Sequence, residues 1–236
     1  SNANSVLGGR IKMFKDDKRI RMFCGHYGSG KTEFAVNYVT KLKEEVGQGK
    51  KVVISDMDIV NPYFRSREKK AELEDKGIVV YGSSYNNDAD IPAVPAEMMG
   101  PFIDKKCDYI IDLGGNDVGT IVLGRYKEHF DPEEIDVFMV VNTYRPDTYD
   151  VDLVIEQMHE LEAGIGVNNT NLVRETCADD LLRGEEILSE VSRRTGVPIK
   201  YTAYVEEVVK DMTPEVKAKL SGEVVPLTYY MRASWM

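Results

Sequence analysis

Residues 25–32 form a glycine-rich motif that constrains the fold more than any other part of the chain, Gly25-His26-Tyr27-Gly28-Ser29-Gly30-Lys31-Thr32. An apolar run, Ile20–Cys24, precedes the motif and predicts a strand, and apolar residues at helical spacing predict a helix over Glu33–Val46. The pattern G-x-x-x-x-G-K-[ST] between a strand and a helix is typical of a phosphate-binding loop. Its glycines let backbone N–H groups turn inward at the positive end of the helix, so the motif predicts nucleotide binding.

The last two residues of the motif are expected to contact the nucleotide directly. The Lys31 ammonium can reach the β- and γ-phosphates, and the Thr32 hydroxyl can ligand Mg²⁺. The alternative is a chance match in a glycine-rich turn, which ordinary residue frequencies give in about one percent of chains of this length. The flanking strand and helix make that alternative rarer still.

A pair of carboxylates, Asp56 and Asp58, follows the second apolar run. The carboxyl ends of strands are where ligands bind in open α/β sheets, so one of the two could orient an attacking water or hold a Mg²⁺-bound water. The alternative is a helix cap beside a solvated charge.

A second acidic strand end lies further along the chain, where the apolar residues before Asp112 give the usual Walker B arrangement. An Asp in that place accepts hydrogen bonds from Mg²⁺-bound water or from the Thr32 hydroxyl. Asp112 and Gly115 also have the D-x-x-G spacing of switch proteins, in which the glycine N–H senses the γ-phosphate. A strand that ends in Asp is common by chance, and the order of this one behind the loop motif favours the functional interpretation.

Strand and helix patterns alternate along the chain, which predicts an α/β fold with a mostly parallel sheet of about seven strands and helices on both faces. The predicted strands are Ile20–Cys24, Lys51–Ser55, Val79–Tyr81, Tyr109–Asp112, Val137–Asn142, Gly164–Asn168 and Ile199–Ala203. Tyr149–Leu161 and Ala178–Thr195 are the other clear helices, and the apolar segment 222–236 is expected to be a packed tail or an oligomer contact. Ser1-Asn2-Ala3 is typical of an expression-tag remnant, and residues 4–236 are expected to form one domain.

Charge and cysteine content restrict the classes of partner and compartment. A formal net charge of −10 argues against broad binding to nucleic acid. No apolar run is long enough to span a bilayer. The three cysteines are scattered without metal-binding spacing, which fits a reducing cytoplasm.

Taken together, these motifs resemble those of the MinD/ParA/CobQ-type P-loop ATPases, which share a larger class (SIMIBI) with signal-recognition GTPases. The quoted residues are the loop Gly25–Thr32, Asp56-x-Asp58, Asp112–Gly115, and Asn142 with the following Arg145-Pro146-Asp147. The resemblance implies a P-loop NTPase fold that takes ATP and Mg²⁺. It implies that Lys31 and Thr32 hold phosphate and Mg²⁺, that Asp58 positions water in switch I, that Asp112 is the Walker B acid and that Gly115 belongs to switch II.

The same resemblance also implies a contact to the nucleobase, and the chain departs from the family pattern within the loop. Such proteins place an asparagine against adenine after a late strand, and Asn168 or Asn169 fits that place; the alternative is turn formation. ATP is favoured over GTP because the N-K-x-D sequence of GTP-binding proteins is missing at residues 168–171.

MinD and ParA proteins carry a signature lysine after the first loop glycine, where this chain has His26, and Tyr27 replaces a glycine. The absence of that lysine puts in doubt a dimer in which it reaches the partner's nucleotide.

Two functions follow from this resemblance. In the first, which we favour, ATP orders the loops after Asp56 and Asp112 so that they present a surface to a protein partner or a second subunit, and hydrolysis releases it. In the second, the chain is an enzyme of the cobyrinic acid a,c-diamide synthase or dethiobiotin synthetase type, which transfers the γ-phosphate to a small carboxylate.

Overall fold

The computed structural model describes residues 13–14, 16–57, 70–82, 96–114 and 131–230. The strands in these ranges form one sheet of eight, and every neighbouring pair is parallel. The strands are β1 (Ile20–Cys24), β2 (Val52–Met57), β3 (Ile78–Gly82), β4 (Asp108–Leu113), β5 (Ile135–Val141), β6 (Ile165–Asn168), β7 (Ile199–Val205) and β8 (Glu223–Leu227). Their order across the sheet is β3-β2-β4-β1-β5-β6-β7-β8. The predicted α/β fold with a parallel sheet is therefore confirmed.

The helices of the described residues connect these strands across the two faces of the sheet. They are α1 (Lys31–Val46), α2 (Lys70–Asp75), α3 (Gly100–Ile103), α4 (Val151–Glu160), α5 (Ala178–Thr195) and α6 (Pro214–Lys217). Short 3₁₀ turns lie at Ala96–Met98, Pro132–Glu134 and Val173–Glu175. In the described ranges, no helix combines the length and the apolar character that crossing a membrane would require.

Two apolar layers cover the two faces of the sheet, as the alternation of side chains along a strand requires. On β1, Phe23 packs with Phe34 and Tyr38 of α1, whereas the neighbouring Met22 belongs to the opposite layer. That opposite layer includes Val154 and Met158 of α4 with Leu188 and Val191 of α5. Burial on both faces explains why the central strands have continuous apolar sequences.

An eighth strand, β8, occupies one edge of the sheet and was not predicted. It lies within residues 222–236, which the sequence had suggested as a packed tail or an oligomer contact. It pairs with β7 over Glu223–Leu227 and contains Pro226. Proline cannot donate to a strand ladder and is tolerated at a sheet edge, so its presence hid the strand from a pattern-based prediction.

Strand order places the glycine-rich loop between two sets of polar strand ends. β1 leads into the loop, and its neighbours are β4 on one side and β5 on the other. Asp112 of β4 is in register with Phe23 of β1 and with Asp56 of β2. Because the strands are parallel, these carboxylates and the loop share the carboxyl edge of the sheet, where open α/β folds bind ligands.

Candidate nucleotide-binding site

The glycine-rich loop joins β1 directly to α1. The Ser29 N–H donates to the His26 carbonyl over 3.0 Å, which closes a turn within the loop. Gly30 caps α1 in the left-handed conformation with φ 82°, and its carbonyl accepts the Phe34 N–H over 3.0 Å. Lys31 and Thr32 are thus the first two residues of the helix, at its positive end. This arrangement of backbone donors suits an anion.

Close approach of other backbone and side-chain atoms requires glycine at two loop positions. Gly25 has φ 142°, and a Cβ atom there would lie 2.5 Å from the Val140 carbonyl oxygen. A Cβ atom on Gly30 would collide with the side-chain amide of Asn169. A side chain at position 25 would therefore push the loop away from β5, and one at position 30 would displace the Asn169 amide and strain a left-handed backbone.

The Thr32 hydroxyl donates to Oδ2 of Asp112 over 2.7 Å. Asp112 is completely buried on β4, and Asp56 of β2, its register neighbour, is also buried. A hydroxyl and carboxylates at a loop that binds phosphate are the oxygen donors that Mg²⁺ takes in nucleotide sites. The residues present therefore fit Mg²⁺: Thr32 would be a direct ligand and Asp112 would accept hydrogen bonds from the ion's waters.

A loop that follows β5 supports the outer side of the glycine-rich loop. The Arg145 Nε donates to the Gly28 carbonyl over 3.1 Å, and His26 Nδ1 lies 3.3 Å from Oδ2 of Asp147. His26 therefore contacts a carboxylate of its own chain. The side chain of Tyr27 is 85% exposed.

The two asparagines proposed for the nucleobase occupy different environments. Asn169 donates from Nδ2 to the Ser29 carbonyl over 2.7 Å, which joins it to the glycine-rich loop. Asn168 is completely buried, donates to the Leu181 carbonyl over 3.0 Å and accepts the Thr170 N–H over 3.2 Å. The structure therefore brings Asn169 to the site and places Asn168 beneath it, against α5.

A pocket adjoins the loop on the side away from Asp112, at the carboxyl ends of β6, β7 and β8. The loop contributes Gly28 and Gly30 at one end of this pocket. Its remaining lining residues are Glu33, Arg145, Asn169, Thr170, Asn171, Val173, Thr176, Ala203, Tyr204, Val205, Val209, Leu227 and Tyr229. The lining mixes polar and apolar side chains in similar measure, so the pocket suits a small molecule that is itself partly polar.

Sequence reasoning missed several of these lining residues and gave no role to Asn142, which joins two loops. Asn142, at the end of β5, is completely buried and donates to the Asn171 carbonyl over 3.1 Å. Its Oδ1 accepts the N–H groups of Tyr144 and Asn171. The only sequence signal for Asn142 is that polar residues directly follow a buried strand, and this signal does not identify the residues that Asn142 contacts.

Two predicted site residues, Asp58 and Gly115, lie outside the described residues. Their assignments remain predictions.

Comparison with known proteins gives a fold. No protein-family model and no curated protein matches this chain. A crystal structure of the signal recognition particle receptor FtsY from Elizabethkingia anophelis aligns with a TM-score of 0.51 and 17% identity, over 79% of this chain and 59% of that one. A second structure of that receptor, in complex with GDP, aligns with a TM-score of 0.51 and 19% identity, over 78% of this chain and 56% of that one. The chain thus spans less than two thirds of the length of these structures.

The fold and the strand–loop–helix geometry together define the class. The chain has a P-loop NTPase fold, an α/β fold with one parallel sheet, which it shares with these FtsY structures. At these identities the likeness concerns the fold alone.

Proposed function

We propose that the chain binds ATP with Mg²⁺ and hydrolyses it as a nucleotide-driven switch of the MinD/ParA/CobQ-like kind. The observation that carries the proposal is the 2.7 Å hydrogen bond between Thr32 and Asp112, at the start of a helix whose preceding loop suits a phosphate. In this proposal Lys31 contacts the β- and γ-phosphates, while Thr32 and Asp112 hold Mg²⁺. Bound Mg²⁺ would neutralise charge on the β- and γ-phosphate oxygens.

Asp58 and Gly115 complete the proposed chemistry. Asp58 orients the attacking water, and the Gly115 N–H senses the γ-phosphate, so cleavage of that phosphate releases both loops. Those loops would bind a protein partner or a second copy of the chain in the ATP state, and would no longer bind it after cleavage.

ATP, rather than GTP, is proposed for two reasons. The segment Asn168-Asn169-Thr170-Asn171 lacks the Lys and Asp of the N-K-x-D sequence. Asn169 lines the pocket, and while its Nδ2 donates to the Ser29 carbonyl, its Oδ1 can accept a hydrogen bond from the amino group of adenine. Titration calorimetry with ATP and GTP tests this choice, and equal affinities would refute it.

His26 favours a mechanism confined to one chain. Because His26 contacts Asp147 of its own chain at 3.3 Å, we propose that it fixes the glycine-rich loop against the loop after β5. Imidazole is shorter than a lysine side chain, which makes it a poor substitute for a cation that must reach a partner's nucleotide.

Turnover of MgATP distinguishes the switch from an enzyme that phosphorylates a small carboxylate. Phosphate release would be measured at several protein concentrations, with and without a panel of small carboxylates, and with Lys31→Ala as the background. The switch predicts slow turnover that no carboxylate changes. Turnover that appears only when a carboxylate is added would contradict the switch and support the enzyme.

A further inference from the structure

The segment after β8 runs along the first turns of α1. Asn37 of α1 donates from Nδ2 to the Thr228 carbonyl over 2.9 Å, and its Oδ1 accepts the Thr228 N–H over 2.8 Å. One side-chain amide therefore satisfies both backbone groups of Thr228, as a neighbouring strand would. Asn37 is 1% exposed, so its side of this pairing is buried.

A second contact fastens the same segment one helical turn closer to the phosphate loop. Oε1 of Glu33 accepts the Tyr230 N–H over 2.5 Å. Glu33 follows Lys31 and Thr32 directly on α1. The backbone is thus held on both sides of Tyr229 by the helix that carries the proposed phosphate and Mg²⁺ ligands.

These two anchors determine which side chains face the pocket. Leu227 and Tyr229 line it, whereas Thr228 between them is exposed, which is the alternation of an extended chain. Gly28 and Gly30 of the glycine-rich loop line the same pocket. A nucleotide whose phosphates lie in the loop would therefore have room for its ribose and base in a space that Tyr229 borders.

We propose that the Tyr229 side chain forms a wall of the nucleobase pocket and contacts the base of a bound nucleoside di- or triphosphate, and that Asn37 and Glu33 are positioning residues for this wall. This inference rests on the proposed function, because it requires phosphates in the loop. The wall and the phosphate site share α1, so the C-terminal strand is part of the nucleotide site although 191 residues separate Asn37 from Thr228.

The test separates binding of the base from binding of the phosphates. Titration calorimetry would measure ADP and inorganic tripolyphosphate, which has neither base nor ribose, with wild type, Tyr229→Ala and Tyr230→Ala. An aromatic contact to a base is worth enough that Tyr229→Ala should weaken ADP binding about tenfold. Binding of tripolyphosphate should not change. Tyr230→Ala is the matched control, because the Tyr230 ring lies 5.6 Å from the Lys76 ammonium and is not part of the pocket lining.

A second variant tests the positioning residue. Asn37→Leu removes both hydrogen bonds to Thr228 without adding a charge near the phosphates, so it should weaken binding of ADP without weakening binding of tripolyphosphate. Circular dichroism would establish that each variant is folded.

The outcomes are distinguishable. Unchanged ADP affinity in folded Tyr229→Ala, or an equal loss for ADP and tripolyphosphate, would overturn the wall assignment and leave the phosphate loop standing. If wild type binds neither ligand, the proposed function itself fails and this inference fails with it.

Discussion

The Thr32 hydroxyl and the Asp112 carboxylate, 80 residues apart in sequence, meet in a 2.7 Å hydrogen bond at the carboxyl edge of the sheet. β4 lies directly beside β1, so the residue that ends one strand reaches the helix that follows the other. A buried carboxylate needs compensating donors, and Thr32 supplies one of them. The same two side chains are the pair that a Mg²⁺–nucleotide site of this kind uses.

Removal of the Thr32 hydroxyl tests the proposed Mg²⁺ site. Thr32→Val should abolish the gain in ATP affinity that Mg²⁺ provides, since the hydroxyl is the proposed direct ligand. Asp112→Asn should lower the apparent Mg²⁺ affinity about 10–100-fold, because groups that orient the metal's ligands have effects of that size. Calorimetric titration of ATP at several Mg²⁺ concentrations measures both.

Thr40→Val on the same helix is the control for these variants. The Thr40 hydroxyl is buried and donates to the Val36 carbonyl over 2.8 Å, so its loss should affect stability and leave the Mg²⁺ dependence intact. If Thr32→Val keeps the full Mg²⁺ dependence, Thr32 is not a ligand.

Asp58 is predicted to act in cleavage rather than in binding. Asp58→Ala should retain ATP affinity while single-turnover hydrolysis slows about 100-fold or more, the usual effect of losing a group that activates water. Quench-flow measurement of bound ATP tests this assignment. A variant that cleaves ATP at the wild-type rate would show that Asp58 has no catalytic part.

The three cysteines should differ sharply in reactivity. Cys24 and Cys107 are buried, whereas Cys177 is exposed. Burial raises the pKa of the Cys24 thiol to about 12 and also raises the pKa of Cys107, so neither forms thiolate near neutrality. At pH 8 an aromatic disulfide reagent should titrate one thiol per chain in the native state and the others after unfolding. Loss of the native reaction in Cys177→Ser would complete the assignment, and a second fast thiol in native protein would contradict it.

A hydrogen bond between Tyr144 and Asp180 should give a pH-dependent part of the stability. The Tyr144 hydroxyl donates to Oδ1 of Asp180 over 2.5 Å. Burial opposes ionisation of Asp180, but hydrogen bonds from Tyr144 and Cys177 outweigh it and hold the pKa of Asp180 below its ordinary 3.8. A lowered pKa in the folded state means that this stabilisation is present above about pH 4 and is lost as the pH falls further.

Tyr144→Phe should therefore lower the free energy of unfolding by about 1–2 kcal/mol at pH 7 and by less at pH 3. Urea denaturation of the wild type and the variant at both pH values measures this difference in the free energy of unfolding. Tyr149→Phe is the control, because Tyr149 is exposed and should show no effect. An equal loss for Tyr144→Phe at both pH values would contradict the assignment.

Local sequence pattern was sufficient to predict the elements that surround the glycine-rich loop. It was insufficient where a residue's contact lies far along the chain. β1 and α5 begin and end at the predicted residues, since apolar runs and helical spacing are local signals. Asn37 reads as an ordinary helix residue, and its pairing with Thr228 depends on a strand at the sheet edge that contains proline. The sequence also does not distinguish Asn168 from Asn169, because the difference depends on where β6 ends. Asn168 is the last residue of β6 and turns toward α5, whereas Asn169 turns toward the glycine-rich loop.

The affinity of MgATP for Lys31→Ala tests the central claim most directly, since that claim is a phosphate clamp at residues 25–32. Loss of a charge-assisted contact to the phosphates should weaken binding at least about tenfold relative to wild type. Lys51→Ala is the matched control, because Lys51 lies at the amino end of β2 and pairs with Asp104 at 3.4 Å. Calorimetry that finds tight binding to wild type and to Lys51→Ala, and weak binding to Lys31→Ala, is the predicted result. Wild-type affinity in folded Lys31→Ala would contradict the account.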